Sequence, residues 1–168
     1  MNQDSRQDAS ADPPGTSGGT VHDADMGMHR ILDDYRAAVL ARDVEAFMRL
    51  YAPEVRVFDA WSHWLHGGAD AWRPVVESWF ASLESERVRV DFEDVLAVSG
   101  TDVSSVSAVV TYTALSARGE PLRSMQNRIT WVLREVGHVL RIVHEHTSAP
   151  IAAESMKPIL TRTRAGKS

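Results

Sequence analysis

One aspartate occupies a position where a carboxylate can act as a base. Residues 54–60, EVRVFDA, alternate in polarity, which predicts a strand with Val55, Val57 and Asp59 on one face. A carboxylate on an apolar face is unusual unless it is paired or functional, and burial raises its pKa toward the range of a useful proton acceptor. Asp59 is therefore our candidate general base. The alternative is a strand-end residue that caps the following loop.

Two histidines alternate near the end of the chain. In a strand predicted over 138–148, His144 and His146 share a face with Leu140 and Ile142. They could assist acid–base catalysis, line a pocket, bind a metal, or form hydrogen bonds within the sheet. A third metal ligand would have to be Asp59, His63 or His66. We assign the two histidines a catalytic role and predict no metal.

An aromatic cluster, WSHWLHGG, follows the predicted strand and is too rich in Trp, His and Gly for a regular element. Aromatic walls with a few polar groups suit a flat apolar ligand, so the cluster predicts a pocket mouth. We assign Trp61, His63 and Trp64 to substrate binding, together with Asn127 and Trp131 on the inner face of a later strand. In the alternative interpretation, Trp64 fills the core.

The hydrophobic periodicity predicts the elements that must position these residues. Helical spacing appears three times before residue 85, and a period of two follows it. We predict helices at 28–41, after Asp43 as far as Pro53, and after Asp70, with strands at 54–60, 87–98, 103–117, 121–135 and 138–148. This order predicts an α+β fold with three N-terminal helices packed on a curved antiparallel sheet that encloses a pocket.

Composition limits the organisation and the class of function. The chain has 168 residues, a formal net charge of −5 and no cysteine, which excludes disulfides and thiolate metal sites and fits the cytoplasm. We predict a disordered N-terminal tail at 1–25, one domain at 26–151 and a basic C-terminal tail at 152–168. The acidic charge of the domain disfavours binding of nucleic acid. No apolar run is long enough for a membrane-spanning helix. The sequence contains no glycine-rich phosphate-binding loop, so nothing in it indicates a nucleotide ligand.

Three segments of the chain resemble the superfamily of nuclear transport factor 2. They are ARDVEAFMRLYAPEVRVFD, the Gly67–Gly68 step before an aromatic helix, and RITWVLREVGHVLRIVHEHTSAP. The last of these resembles the ending of SnoaL-like proteins related to ketosteroid isomerase. The resemblance implies a cone-shaped fold around a pocket and extends over residues 28–151.

The resemblance also implies roles for particular residues. Ketosteroid isomerase pairs an Asp base with an oxyanion hole made of a Tyr and a protonated Asp. Tyr35 on the first helix and Asp59 suit the Tyr and the base. Strand 121–135 carries no acid on its inner face, and Asn127 could donate to the oxyanion there instead.

These observations support two classes of function. The first is a cofactor-independent isomerase, cyclase or dehydratase that acts on a small apolar carbonyl compound. The second is a non-catalytic module for ligand binding or dimerisation. We also predict a homodimer through the outer face of the sheet, where apolar side chains would be exposed. The residues assigned to that face are Val106, Val110, Val132, Val139 and Val143.

Overall fold

The computed structural model describes the backbone of residues 19–162 and the side chains of residues 26–162. Three helices occupy the first half of this range: α1 (Gly19–Ala41), α2 (Val44–Met48) and α3 (Ala69–Ser82). The strands are β1 (Tyr51–Phe58), β2 (His66–Gly67), β3 (Arg87–Val98), β4 (Ser104–Leu115), β5 (Pro121–Val136) and β6 (Val139–Ser148). The fold is α+β, as predicted.

The helices pack through apolar stripes that the sequence periodicity predicts. In α1 the buried side chains are Met28, Ile31, Leu32, Tyr35, Ala38 and Val39. Helix α2 begins at its cap, where the Asp43 carboxylate accepts a 2.8 Å hydrogen bond from the Ala46 amide. Helix α3 buries Trp72, Val76 and Phe80, one residue per turn. The helices therefore present one apolar layer to the sheet.

The sheet is curved and mixed, with the strand order β2-β1-β6-β5-β4-β3. Strands β3 to β6 pair as consecutive antiparallel neighbours, whereas β1 pairs in parallel with β6. The prediction of a purely antiparallel sheet was therefore wrong for this one pair. The short strand β2, which pairs with β1, was not predicted because its residues lie in the aromatic cluster.

The strands bury alternate residues against the helices. Asn127, Ile129, Trp131 and Leu133 lie on the inner face of β5, as predicted. The prediction for β4 was wrong, because Val106 and Val110 are completely buried in the core. The residues on the outer face of β4 are small or β-branched, such as Ser105, and none of them is charged. The sequence of β4 therefore does not show which face is the outer one. Of the five valines assigned to the outer face, Val132 and Val143 are half-buried and Val139 is exposed.

The segment after β6 folds back on the sheet instead of extending away from it. The Gln126 amide donates to the Leu160 carbonyl at 2.7 Å, and the Arg162 amide donates to the Gln126 side chain at 2.7 Å. The Arg162 guanidinium forms ion pairs with Glu93 and Asp94 on β3. The predicted basic tail is thus attached to the domain as far as Arg162, and its remaining basic residues lie outside the described range.

The N-terminal boundary also differs from the prediction. Helix α1 begins at Gly19, so residues 19–25 are helical in the structure although we predicted disorder for 1–25. Residues 1–18 lie outside the described range. Among the described residues, no helix is both long and apolar enough to cross a membrane.

Candidate active site

A cavity of about 790 Å³ lies between the helices and the inner face of the sheet. Helix α3 supplies a large part of its apolar wall, through Trp72, Val75, Val76 and Trp79, and Leu83 follows directly after the helix. Both the size and the apolar lining are typical of a site for a small organic molecule. The cavity therefore provides the pocket that the aromatic cluster and the helix order predicted.

Asp59 reaches this cavity from the loop directly after β1. Its Oδ1 atom accepts a 2.9 Å hydrogen bond from the Thr147 hydroxyl. The same hydroxyl oxygen accepts a 2.8 Å hydrogen bond from the Ala60 amide. Because Thr147 is buried on β6, it holds the half-buried Asp59 carboxylate in one orientation. Asp59 therefore lies on a wall of the cavity.

The second carboxyl group of the cavity belongs to Glu145, which the sequence analysis missed. Glu145 is only 2% exposed, and its Oε2 atom accepts hydrogen bonds from the Tyr51 hydroxyl at 2.6 Å and the Trp131 indole at 2.8 Å. Burial raises the pKa of Glu145 to about 7, the Asp59 charge adds to the increase, and the two hydrogen bonds oppose it. Glu145 can therefore hold or release a proton near neutral pH.

A β-bulge in β6 explains why Glu145 and not the histidines faces the cavity. Ile142 pairs with Leu133, whereas His144 pairs with the preceding residue of β5, Val132, so Val143 is an extra residue. An extra residue reverses the alternation of side chains beyond it. Glu145 and Thr147 are consequently buried on the inner face, and the prediction that His144 and His146 share a face with Ile142 was wrong.

The two histidines lie on the other side of the sheet. The His144 Nδ1–H donates to the Arg56 carbonyl at 2.8 Å, and the rings of His144 and His146 pack edge-on against Phe58 at 5.0 and 5.8 Å. Neither residue lines the main cavity. His144 therefore has the structural role that we weighed for it, a hydrogen bond between neighbouring strands.

Two tyrosine hydroxyl groups meet in the cavity wall. The Tyr35 and Tyr112 oxygens are 2.9 Å apart, and both residues line the cavity. Burial raises the pKa of each, so both phenols stay protonated at physiological pH. One hydroxyl hydrogen is used between them, and the other remains able to donate to a ligand. Tyr35 is where the sequence analysis placed it, whereas Tyr112 had not been assigned to the site.

The aromatic residues assigned to substrate binding are divided between three locations. Trp61 and His63 line the main cavity, as predicted. Trp64 is 97% exposed and borders a second, outer depression together with His146, so the alternative of Trp64 as a core residue is wrong. Trp131 is completely buried and does not line the main cavity, and its indole donates a hydrogen bond to Glu145.

Two buried polar atoms on the cavity walls have no hydrogen-bond partner among the described residues. They are Asn127 Oδ1 and His66 Nε2. An unsatisfied buried polar group costs about 1–3 kcal/mol of stability. Asn127 lies on the cavity wall with its amide oxygen unpaired, and a ligand that bound this oxygen would remove that cost.

Metal-binding geometry is not found in the described part of the chain, since no three His, Asp or Glu side chains there converge on one point. His63 and His66 are neighbours, with ring centroids 5.4 Å apart. Arg123, at the border of the cavity, binds the Glu86 carboxylate through two hydrogen bonds of 2.6 and 2.9 Å. Its charge is therefore already neutralised by a residue of the same chain.

Solved structures of very different sequence share this fold. An NTF2-like protein of unknown function from Pseudomonas putida has a TM-score of 0.74 and 19% identity, over 84% of this chain and 97% of that chain. A candidate scytalone dehydratase from Novosphingobium aromaticivorans has a TM-score of 0.68 and 12% identity, over 89% and 97% of the two chains.

A third similar structure is named for another functional class. It is a candidate calcium/calmodulin-dependent protein kinase II association domain from Xanthomonas campestris, with a TM-score of 0.62 and 18% identity over 86% of this chain and 95% of that chain. At such identities the likeness shows the fold and not the activity. No curated protein sequence matches this chain.

The sequence also matches a family model, that of the SnoaL-like domain, over residues 29–152. The match extends from the second half of α1 to the end of the sheet and so includes every residue of the cavity wall. Together with the cone of helices on a curved six-stranded sheet, it identifies the chain as a member of the SnoaL-like domain family, with an NTF2-like fold.

Proposed function

We propose that this protein is an enzyme that moves a proton at the carbon next to a carbonyl group of a small, mostly apolar compound. The observation that carries the proposal is the placement of the Asp59 carboxylate at a cavity of about 790 Å³, held there by Thr147. A carboxylate that is fixed in orientation and partly removed from water is suited to accept a proton from carbon.

The tyrosine pair supplies a hydrogen-bond donor for the carbonyl oxygen, which the Asp59 carboxylate cannot provide. Proton removal next to a carbonyl moves negative charge onto the carbonyl oxygen, which must be stabilised by hydrogen-bond donors. Tyr35 and Tyr112 present one free hydroxyl hydrogen to the cavity, and their raised pKa keeps it in place. In this proposal the ketone oxygen binds the tyrosine pair while the adjacent carbon faces Asp59.

Glu145 gives the site a second proton carrier. With a pKa of about 7, its carboxyl group exists in both protonation states near neutral pH. Its position on the cavity wall allows it to return a proton to the enolate in an isomerisation or to the leaving group in a dehydration. None of these steps needs an organic cofactor.

The experiment is hydrogen–deuterium exchange at a ketone in D₂O, followed by NMR. The probe is 2-acetylnaphthalene, a flat apolar ketone whose methyl hydrogens exchange only through the enolate. We expect the protein to accelerate this exchange and Asp59→Asn to reduce the acceleration at least about 100-fold, because an amide cannot accept the proton.

The matched control is Asp102→Asn, which removes the same charge from an exposed turn away from the cavity. We expect this variant to retain the wild-type rate. Equal rates for wild type and Asp59→Asn would contradict the proposal. Binding of the probe without any exchange would support the second class of function, a non-catalytic ligand-binding module.

A further inference from the structure

Asn127 is a polar residue in an apolar part of the cavity wall. It lies on the inner face of β5 between Met125 and Ile129, and 94% of its surface is buried. Its Oδ1 atom has no hydrogen-bond partner among the described residues, and its side chain makes no other hydrogen bond there. A primary amide offers both donors and an acceptor, so whichever way it is turned it can bind a hydroxyl group.

The charges around the cavity restrict the ligand further. Asp59 and Glu145 place two carboxyl groups at the wall, and the Arg123 guanidinium is bound by Glu86. An anionic ligand would meet the Asp59 carboxylate without an unpaired arginine or lysine among the described cavity residues. The charges therefore disfavour an anionic ligand, and the mostly apolar wall favours an uncharged one.

We propose that the ligand is an uncharged ketone that also carries a hydroxyl group, and that Asn127 recognises this hydroxyl. The ketone part rests on the proposed function, whereas the hydroxyl part rests on the unpaired amide of Asn127. Sites built to bind a substrate hydroxyl discriminate strongly against the analogue that lacks it, because the buried polar group is then left unpaired.

Three probes of one shape test the proposal by calorimetric titration: 2-acetylnaphthalene, 6-acetyl-2-naphthol and 6-acetyl-2-naphthoic acid. We expect the naphthol to bind about tenfold more tightly than the unsubstituted ketone, the gain of one buried hydrogen bond. We expect the acid to bind more weakly than the naphthol by at least the same factor. Equal affinities for the naphthol and the unsubstituted ketone, tighter binding of the acid, or no binding of any probe at millimolar concentration would overturn the proposal.

Two variants then test the assignment to Asn127. In Asn127→Leu, which has nearly the same shape, the preference for the naphthol should fall below about threefold. In Met125→Leu, a change on the same face of β5 that removes no hydrogen-bonding group, the preference should remain. Retention of the preference in Asn127→Leu together with its loss in His66→Phe would overturn the assignment.

A second readout separates recognition from a structural role. Without ligand, Asn127→Leu should melt a few degrees above the wild type, because the variant no longer buries an unpaired amide. A lower melting temperature would show that Asn127 supports the fold, against the proposal. The calorimetric titration measures binding and does not depend on turnover. If the wild-type protein binds the naphthol preferentially but does not accelerate the exchange, the proposed reaction is refuted and the proposed recognition of the hydroxyl is not.

Discussion

Two carboxyl groups at one cavity have different surroundings. Asp59 is half-buried and bound by one hydroxyl, whereas Glu145 is only 2% exposed and bound by Tyr51 and Trp131. Burial penalises the charged form of Glu145 and raises its pKa to about 7. Two carboxyl groups whose surroundings differ in this way can divide the roles of base and acid.

The raised pKa of Glu145 predicts a pH dependence of stability. Because the folded protein binds this proton more tightly than the unfolded chain, whose carboxyl has its ordinary pKa of 4.5, the free energy of unfolding falls as pH rises from about 4.5 to about 7. One group contributes at most about 1.4 kcal/mol per pH unit. Denaturant unfolding across this range should show a smaller decrease for Glu145→Gln than for wild type, and an identical decrease would contradict the assignment.

The sequence pattern located Asp59 and Tyr35 as candidate residues of the cavity but did not locate Glu145. Asp59 follows a short strand of regular alternation, so its face could be inferred. Glu145 lies between two histidines, and either face of HEH offers a polar side chain to a pocket. Nothing in the composition of that segment marks which face is inside.

Among the elements, β5 and β6 show what decides whether a strand face can be predicted. In β5 burial alternates regularly from Asn127 to Leu133, and Asn127 and Trp131 lie on the predicted face. In β6 the extra residue Val143 is β-branched and apolar like Ile142 before it, so the pattern did not reveal the bulge. A bulge depends on the register in which a strand pairs with its neighbours. The residue pattern of one strand contains no information about that register.

The element boundary before α3 gives a second prediction. Gly68 has φ 88° and ψ 154°, a conformation that is open almost only to glycine, and its amide binds the Val55 carbonyl at 2.7 Å. Gly68→Ala should lower the free energy of unfolding by about 1–3 kcal/mol. Gly67→Ala is the matched control, because a Cβ there meets no atom within 4 Å, and it should change stability by less than about 0.5 kcal/mol. Equal effects in chemical denaturation would contradict this account of Gly68.

For the whole molecule, we propose that two copies associate through the outer face of the sheet. Val109, Val132 and Val143 leave half-buried apolar side chains there, although Val106 and Val110 proved to be internal. Sedimentation at micromolar concentration should give the mass of two 18.6 kDa chains. Val132→Arg should shift the mass to one chain, whereas Val95→Arg, an exposed valine on β3, should not. A single-chain mass for the wild type would contradict the proposal.

We propose above all that the main cavity holds a ketone between Asp59 and the tyrosine pair. A crystal structure of the wild-type protein soaked with 2-acetylnaphthalene tests this binding mode most directly. The account predicts the ketone oxygen at hydrogen-bond distance from the Tyr35 or Tyr112 hydroxyl and the methyl carbon about 3–3.5 Å from an Asp59 oxygen. A ligand bound in the outer depression beside Trp64, or in the cavity with its ketone turned away from the tyrosines, would contradict it.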